Sequence, residues 1–182
     1  MMGVATKLDA QLSAQLDMLR WHILRGDAQR VGLWTRAAAV LGADTLVLAG
    51  ATVLLTVSPT TPSKLGKIAA LATMALVLVS VMRAAQVLGT VRDWSRTIEP
   101  ESPPPALYNL SESVKLTRTY TGFRELVAAQ SVSEQVDSAT SELWRLSYLH
   151  RRRIHALRSA GQWLLVAVIA LLLSGGIAVV LT

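Results

Sequence analysis

Cysteine is absent from this sequence, which excludes disulfides and thiolate-ligated metal sites. The usual signatures of catalysis are missing too, since there is no Walker loop, no GxSxG nucleophile motif and no HExxH zinc motif. The three histidines, His22, His150 and His155, lack the i, i+4 spacing that lets two imidazoles on one helix face bind a metal. We therefore predict no catalytic residue, no metal site, no cofactor and no enzymatic activity.

Long apolar stretches dominate the chain instead. Hydrophobic residues make up 52% of the 182 positions. Three stretches, 37–57, 68–88 and 163–182, are each long enough to cross the roughly 30 Å hydrocarbon core of a bilayer. The segments that remain are too short for an independent globular enzyme domain. We predict an integral membrane protein with three transmembrane helices.

The 18 lysines and arginines are unevenly divided around these stretches. Five precede the first stretch, eleven lie from Arg83 to Arg158, and only Lys64 and Lys67 lie between the first and second stretches. The positive-inside rule then places the N-terminus and residues 89–162 in the cytoplasm and the C-terminus outside. Orientation and attraction to anionic lipid account for the net charge of +6 better than nucleic-acid binding does.

Two amphipathic helices are predicted next to the apolar stretches, at residues 1–36 and 131–162. Ser131 and Glu134 form a capping-box pattern that begins the second helix. No proline separates this helix from the third apolar stretch, so the two are predicted to be continuous. The apolar stripes repeat at steps of three and four, the second as an imperfect coiled-coil seam. They comprise Leu8, Leu12, Leu16, Leu19 and Ile23 in the first helix, and Val136, Ala139, Leu143, Leu146, His150, Arg153 and Leu157 in the second.

Two connecting segments complete the predicted organisation. Residues 58–67 contain Pro59 and Pro62 and form an external turn. Residues 89–130 form a cytoplasmic linker, rich in proline over 97–106, with a short helix near 121–129. The two amphipathic helices, about 45 and 42 Å long, would each bury an apolar stripe by packing in parallel. The predicted fold is all-α: an integral membrane three-helix bundle with a cytoplasmic two-helix coiled-coil stalk.

Two charged residues lie within the apolar stretches. Asp44 is about 12 Å below the cytoplasmic end of the first stretch and Arg83 about 8 Å below that of the second, at 1.5 Å per residue. A charge at mid-helix costs about 2.5–3.5 kcal/mol on insertion scales. We predict an intramembrane polar pair, or snorkelling by Arg83. The functional alternative is a polar seam that becomes a pore or a proton path when subunits assemble.

Two further groups of residues are candidates for packing and binding. Small residues at every fourth position allow close helix approach, either within the chain or between copies in a homo-oligomer. Consecutive basic residues before the third stretch could bind a phosphate or a nucleotide, or else lipid headgroups. The small residues are Ala38 and Gly42 in the first stretch and Ala170, Ser174 and Ala178 in the third, and the basic cluster is His150, Arg151, Arg152 and Arg153.

Three segments carry a resemblance to a known family. They are residues 35–49 (TRAAAVLGADTLVLA), with a basic residue before a span rich in small residues, residues 123–129 (FRELVAA), and residues 143–157 (LWRLSYLHRRRIHAL), which lead into the last span. In this pattern of helices and charge the chain resembles the Pycsar effector transmembrane family, which is related to SLATT-type membrane effectors. The similarity covers most of the chain.

The resemblance implies a membrane effector of bacterial antiphage defence. In that family a partner pyrimidine cyclase makes cyclic CMP or cyclic UMP on infection, the effector responds, the inner membrane is impaired and the host dies or stops growing. It therefore implies cyclic CMP or cyclic UMP as an activating ligand, and the cyclase as a partner through its product. The alternative is a non-enzymatic structural or plasmid-transfer-associated membrane protein.

Overall fold

A computed structural model describes residues 2–56, 64–89, 108, 113 and 116–180. Within these residues the regular structure is helical: α1 is Met2–Thr56, α2 is Lys64–Leu88, α3 is Tyr120–Ala129 and α4 is Val132–Val180. Helices α1, α2 and α4 are long and apolar enough to cross a membrane. The all-α class and the three candidate membrane spans predicted from the sequence are thus confirmed. Residues 58–63 of the turn predicted at 58–67 lie outside the described residues, and so does the proline-rich segment at 97–106.

Helix α1 unites two segments that the sequence analysis treats separately. Residues 1–36 and the apolar stretch from 37 onward belong to one helix that ends at Thr56. No proline lies within it, and neither Gly26 nor Gly32 interrupts it, since an isolated glycine weakens a helix by only about 1 kcal/mol. Helix α2 begins at Lys64, inside the turn predicted at 58–67. The four residues from Lys64 to Lys67 are therefore helical, because the last proline of that turn, Pro62, precedes them.

Hydrogen bonds from backbone amides to side-chain oxygens fix the starts of α3 and α4. The Ser131 amide donates to Oε2 of Glu134 at 2.7 Å, and the Glu134 amide donates to Oγ of Ser131 at 3.3 Å. This reciprocal pair is the capping box that the sequence predicts. Helix α3 begins after Thr119, whose Oγ1 accepts from the Gly122 amide at 3.2 Å. From Val132, α4 continues without a break through the third apolar stretch, as predicted.

The chain divides into two compact units. Unit 1 comprises residues 1–30 and 91–150. Its core joins the predicted apolar stripe of α1 to that of α4, since leucines one helical turn apart in α1 pack against small and branched residues of α4. The buried members are Leu16, Leu19, Val136 and Ala139, and the half-buried members are Leu12, Ile23, Tyr108 and Leu143.

Unit 2 comprises residues 31–90 and 151–182, and α1, α2 and α4 all contribute to its core. Two apolar clusters hold the helices together. The first consists of Leu33, Ala37 and Val87, with Ile154, Ala156 and Leu157 packed against them. The second consists of Val47, Val77 and Ala167, with Leu76, Val81, Leu164, Val168 and Leu171 packed against them.

Unit 2 has its small and polar residues inside and many of its large apolar residues outside. The interior includes Ala37, Asp44, Ala51, Ala70, Thr73, Ser80, Ala84, Ala160, Ala167 and Ser174. The outer surface carries Leu46, Val53, Leu71, Leu78, Ile169, Leu172 and Leu173. In water this arrangement would expose a large apolar surface, whereas in lipid small residues let helix backbones approach and large ones face the acyl chains. The distribution therefore matches a bundle surrounded by lipid.

Candidate functional site

One face of α2 is buried along its whole described length. Its members recur at steps of three and four: Ala70, Thr73, Val77, Ser80, Ala84 and Val87. This repeat is the packing seam of an α-helix, and its small side chains let neighbouring helices come close. The Ser80 hydroxyl lies near the middle of this face and points toward the other two helices of unit 2.

Three helices meet at the Ser80 hydroxyl. Its Oγ lies 3.0 Å from Oδ2 of Asp44 on α1 and 3.0 Å from the backbone carbonyl oxygen of Ala160 on α4. Asp44 is only 1% exposed. Its other carboxyl oxygen, Oδ1, is buried and has no hydrogen-bond partner within the part of the chain that the structure describes. A carboxyl, a hydroxyl and a carbonyl oxygen thus form a buried polar site in an otherwise apolar bundle.

The predicted contact between Asp44 and Arg83 is not formed. Arg83 is exposed, and its Nη1 donates to Oε1 of Gln86 at 3.4 Å. The buried face of α2 passes from Ser80 to Ala84, which leaves Arg83 beside it and directs the guanidinium outward. Asp44 is instead hydrogen-bonded to Ser80, a residue that the sequence analysis did not single out. The signal that could have found Ser80 is the buried repeat of α2, in which it is one of two hydroxyl residues.

The small residues predicted to pack in α1 lie on its outer face. Ala38 and Gly42 are both exposed, and a Cβ added to Gly42 would meet nothing within 4 Å. The buried small residues of α1 are Ala37 and Ala51 instead, because the face that includes Asp44 is the one turned inward. Packing among the described residues therefore does not use Ala38 or Gly42.

The third stretch agrees with its predicted packing stripe only in part. Ser174 is buried, Ala170 is half-buried, and the side chain of Ala178 lies outside the described residues. The buried face of α4 runs in steps of seven, through Ala160, Ala167 and Ser174.

Gly50 marks a close approach of α1 and α4 that the sequence analysis missed. A Cβ placed on it would lie 3.0 Å from Cδ2 of Leu171, so a larger residue would have to displace that side chain.

The four residues of the basic cluster differ in how far they are buried. Arg151 and Arg152 are exposed and His150 is half-buried, whereas Arg153 is only 8% exposed. Consecutive residues of a helix point about 100° apart, so one of three adjacent arginines can face the interior while the others face out. Only Arg151 and Arg152 present guanidinium groups to an anion at the surface of this cluster.

A buried ion pair in unit 1 was also missed. Glu142 is 3% exposed, and both of its carboxylate oxygens accept from Arg145, with Nε of Arg145 2.6 Å from Oε2. Such a two-point contact fixes the guanidinium in one orientation. The i, i+3 spacing of the pair was the available sequence signal.

Comparison of the sequence with protein-family models, with curated proteins and with solved structures gives no match.

Proposed function

We propose that this chain is a membrane effector of a cyclic-nucleotide antiphage system. Cyclic CMP or cyclic UMP from a partner pyrimidine cyclase activates it, and assembled copies impair the inner membrane and cause abortive infection. The observation that carries the proposal is the carboxyl group of Asp44, buried in a bundle whose outer surface is apolar. An ionisable group is unfavourable in that position, and intramembrane ionisable groups mark sites of function more often than sites of simple anchoring.

The contacts of unit 1 support the finer architecture, a two-helix stalk in which α1 and α4 run parallel. Leu16 and Leu19 share a cluster with Val136 and Ala139. Further along, a Cβ on Gly26 would lie 3.9 Å from Leu146. Residue numbers rise together in the two helices, as parallel packing requires. Fifteen basic residues lie outside the spans on one side, Arg83 lies near that side within α2, and only Lys64 and Lys67 lie on the other, so the positive-inside rule favours a cytoplasmic stalk and an external C-terminus.

Assembly of several copies is the step that would impair the membrane. Helices in contact are about 8–10 Å apart, which leaves no water-filled channel inside one three-helix bundle. Ala38 and Gly42 are exposed on α1 and allow a second copy to approach closely. In the assembled state we expect the exposed Arg83 to line the polar path between copies, and Asp44, which is buried within one bundle, to join that path only when assembly opens its contact with Ser80. The exposed guanidinium groups of Arg151 and Arg152 are suited to the nucleotide phosphate.

Induced expression in a bacterial host with a membrane-potential dye tests this function. We expect depolarisation only when cyclic CMP or cyclic UMP is supplied. The double variant Arg151→Gln/Arg152→Gln should lose the nucleotide response, while Arg158→Gln, at an exposed position of the same helix, should keep it. Asp44→Asn should change the depolarisation at normal insertion levels.

Three results would contradict the proposal in different ways. Depolarisation that neither nucleotide affects would remove the signalling role. A stable potential under every condition would favour the structural or plasmid-transfer alternative. Unchanged depolarisation in both Asp44→Asn and Arg83→Gln, with normal insertion, would reduce these two residues to packing and orientation.

A further inference from the structure

The hydroxyl of Ser80 has two acceptors and only one hydrogen. Oδ2 of Asp44 and the carbonyl oxygen of Ala160 each lie 3.0 Å from Oγ of Ser80. A serine hydroxyl donates once, and a backbone carbonyl can only accept. If Ser80 donates to Ala160, the contact between Ser80 and Asp44 needs a hydrogen that belongs to Asp44.

The surroundings of Asp44 favour the same assignment. An ionised carboxylate has about four acceptor sites. Here Oδ1 has no partner among the described residues. The one possible donor to Oδ2 is the Ser80 hydroxyl, which is also within hydrogen-bond distance of the Ala160 carbonyl oxygen. A buried carboxylate that must share its one hydrogen-bond donor with another acceptor is strongly unfavourable. A neutral carboxylic acid in the same place leaves only its carbonyl oxygen without a hydrogen bond.

Among the residues that the structure describes, no cation compensates a negative charge at this position. Asp44 is the only charged residue of α1 between 37 and 56, and α4 has none between 159 and 176. Arg153 lies on the same face of α4 as Ala160 but seven residues away, about 10 Å along the axis. The other charged residues that flank the apolar segments are exposed, namely Arg36, Lys67, Arg83 and Arg158.

We propose that Asp44 binds a proton on Oδ2 and that this proton completes a hydrogen-bonded chain across the bundle. Asp44 donates to Ser80, and Ser80 donates to the carbonyl oxygen of Ala160. The chain joins α1 to α2 and α2 to α4, so each of the three helices is tied to the next by a polar contact. Loss of the proton leaves one hydrogen for two acceptors and places a charge among apolar helices, which weakens the attachment of α1. This inference depends on the packing of unit 2 and not on the proposed antiphage function.

Infrared spectroscopy of the full chain in lipid bilayers, with aspartate labelled by ¹³C at the carboxyl group, tests for the proton. We expect a protonated-carboxyl stretch at neutral pH that shifts in D₂O and is absent in Asp44→Asn. Asp27→Asn removes an exposed aspartate of the same helix and should leave the band unchanged. Ser80→Ala removes the acceptor, so the band should move to higher frequency as its hydrogen bond is lost.

The spectrum of the unmodified chain can by itself overturn the proposal, even if a variant fails to insert. Absence of the acid band at neutral pH would mean that Asp44 is ionised and would overturn the proposal. A band that persists in correctly inserted Asp44→Asn would assign the proton elsewhere and overturn it too. Thermal stability that depends on sodium ions, in a chain without the acid band, would place a cation rather than a proton on these oxygens.

Discussion

Replacing Leu19 by alanine tests whether apolar burial holds α1 against α4 in unit 1. Leu19 is 6% exposed and packs with Leu16, Val136 and Ala139. Truncation of a buried leucine to alanine costs about 2–5 kcal/mol, depending on how far the neighbours close the cavity. We expect the lower end, about 2 kcal/mol, because the cluster has only four buried members and can relax into the space.

Because the native chain has no cysteine, a single introduced thiol can report on this prediction without background labelling. Ala139→Cys introduces a single thiol at a position that is fully buried in the cluster. Its rate of modification by a maleimide measures how often the two helices separate locally. A loss of about 2 kcal/mol corresponds to labelling that is roughly 30-fold faster, since 1.4 kcal/mol is a factor of ten.

Leu24→Ala is the matched control. Leu24 is on the same helix but is 70% exposed, so we expect a change of no more than about 0.5 kcal/mol, or about twofold in rate. Equal acceleration by the two substitutions would refute the reasoning, because burial would then make no difference. So would an unchanged rate in Leu19→Ala, which would mean that the cluster does not hold the helices together.

Three more predictions concern unit 1, the start of α4 and the topology. Arg145→Ala leaves the buried carboxylate of Glu142 without its two-point donor, so we expect a loss of about 1–3 kcal/mol in the same thiol assay. Adding Glu142→Gln should recover part of that loss, and no recovery would mean that the charge is not the cause. The hydrogen bond from the Ser131 amide lowers the pKa of Glu134, so the capping box contributes stability above the ordinary glutamate pKa of about 4.3 and loses it as pH falls through the lowered value. Hydrogen-exchange protection in the first turn of α4, taken as the measured rate relative to the intrinsic rate at each pH, should fall on acidification, and Glu134→Gln should abolish that dependence; the same fall in both would exclude the cap. A reporter that is active only in the cytoplasm should be silent when fused after Thr182, and activity there would reverse the topology.

Local signals in the sequence are sufficient to predict where the long helices lie. Apolar length predicted the three candidate spans, and Ser131 with Glu134 marked the start of α4 to within a residue. These features depend on neighbouring residues alone, because a capping box and an uninterrupted apolar run are each contained in one segment and need no contact with the rest of the fold. Helix α2 begins at Lys64, four residues before the span predicted at 68–88, because the proline pair of the turn fixes where a helix cannot continue and not where the next one begins.

The sequence identified only one of the two side chains of the buried polar site. Asp44 stood out because a charge in an apolar stretch is rare, but periodicity alone does not say which helix faces it. Arg83 was the apparent partner because opposite charges attract. In the structure Ser80 takes that place because it lies on the buried face of α2, with Arg83 beside that face and turned outward.

The sequence by itself determined that this protein is of the all-α class, has three helices able to cross a membrane and carries one acidic residue within their apolar stretches, because hydropathy and helix signals are properties of the chain read in order. Only the tertiary structure decided which side of each helix is inside. It turned Ala37 inward and Ala38 outward, buried Arg153 while leaving Arg151 exposed, and brought Ser80 to Asp44. The physical reason is that successive residues of a helix point about 100° apart. Turning a whole helix about its axis by that angle changes every contact it makes and leaves its sequence the same.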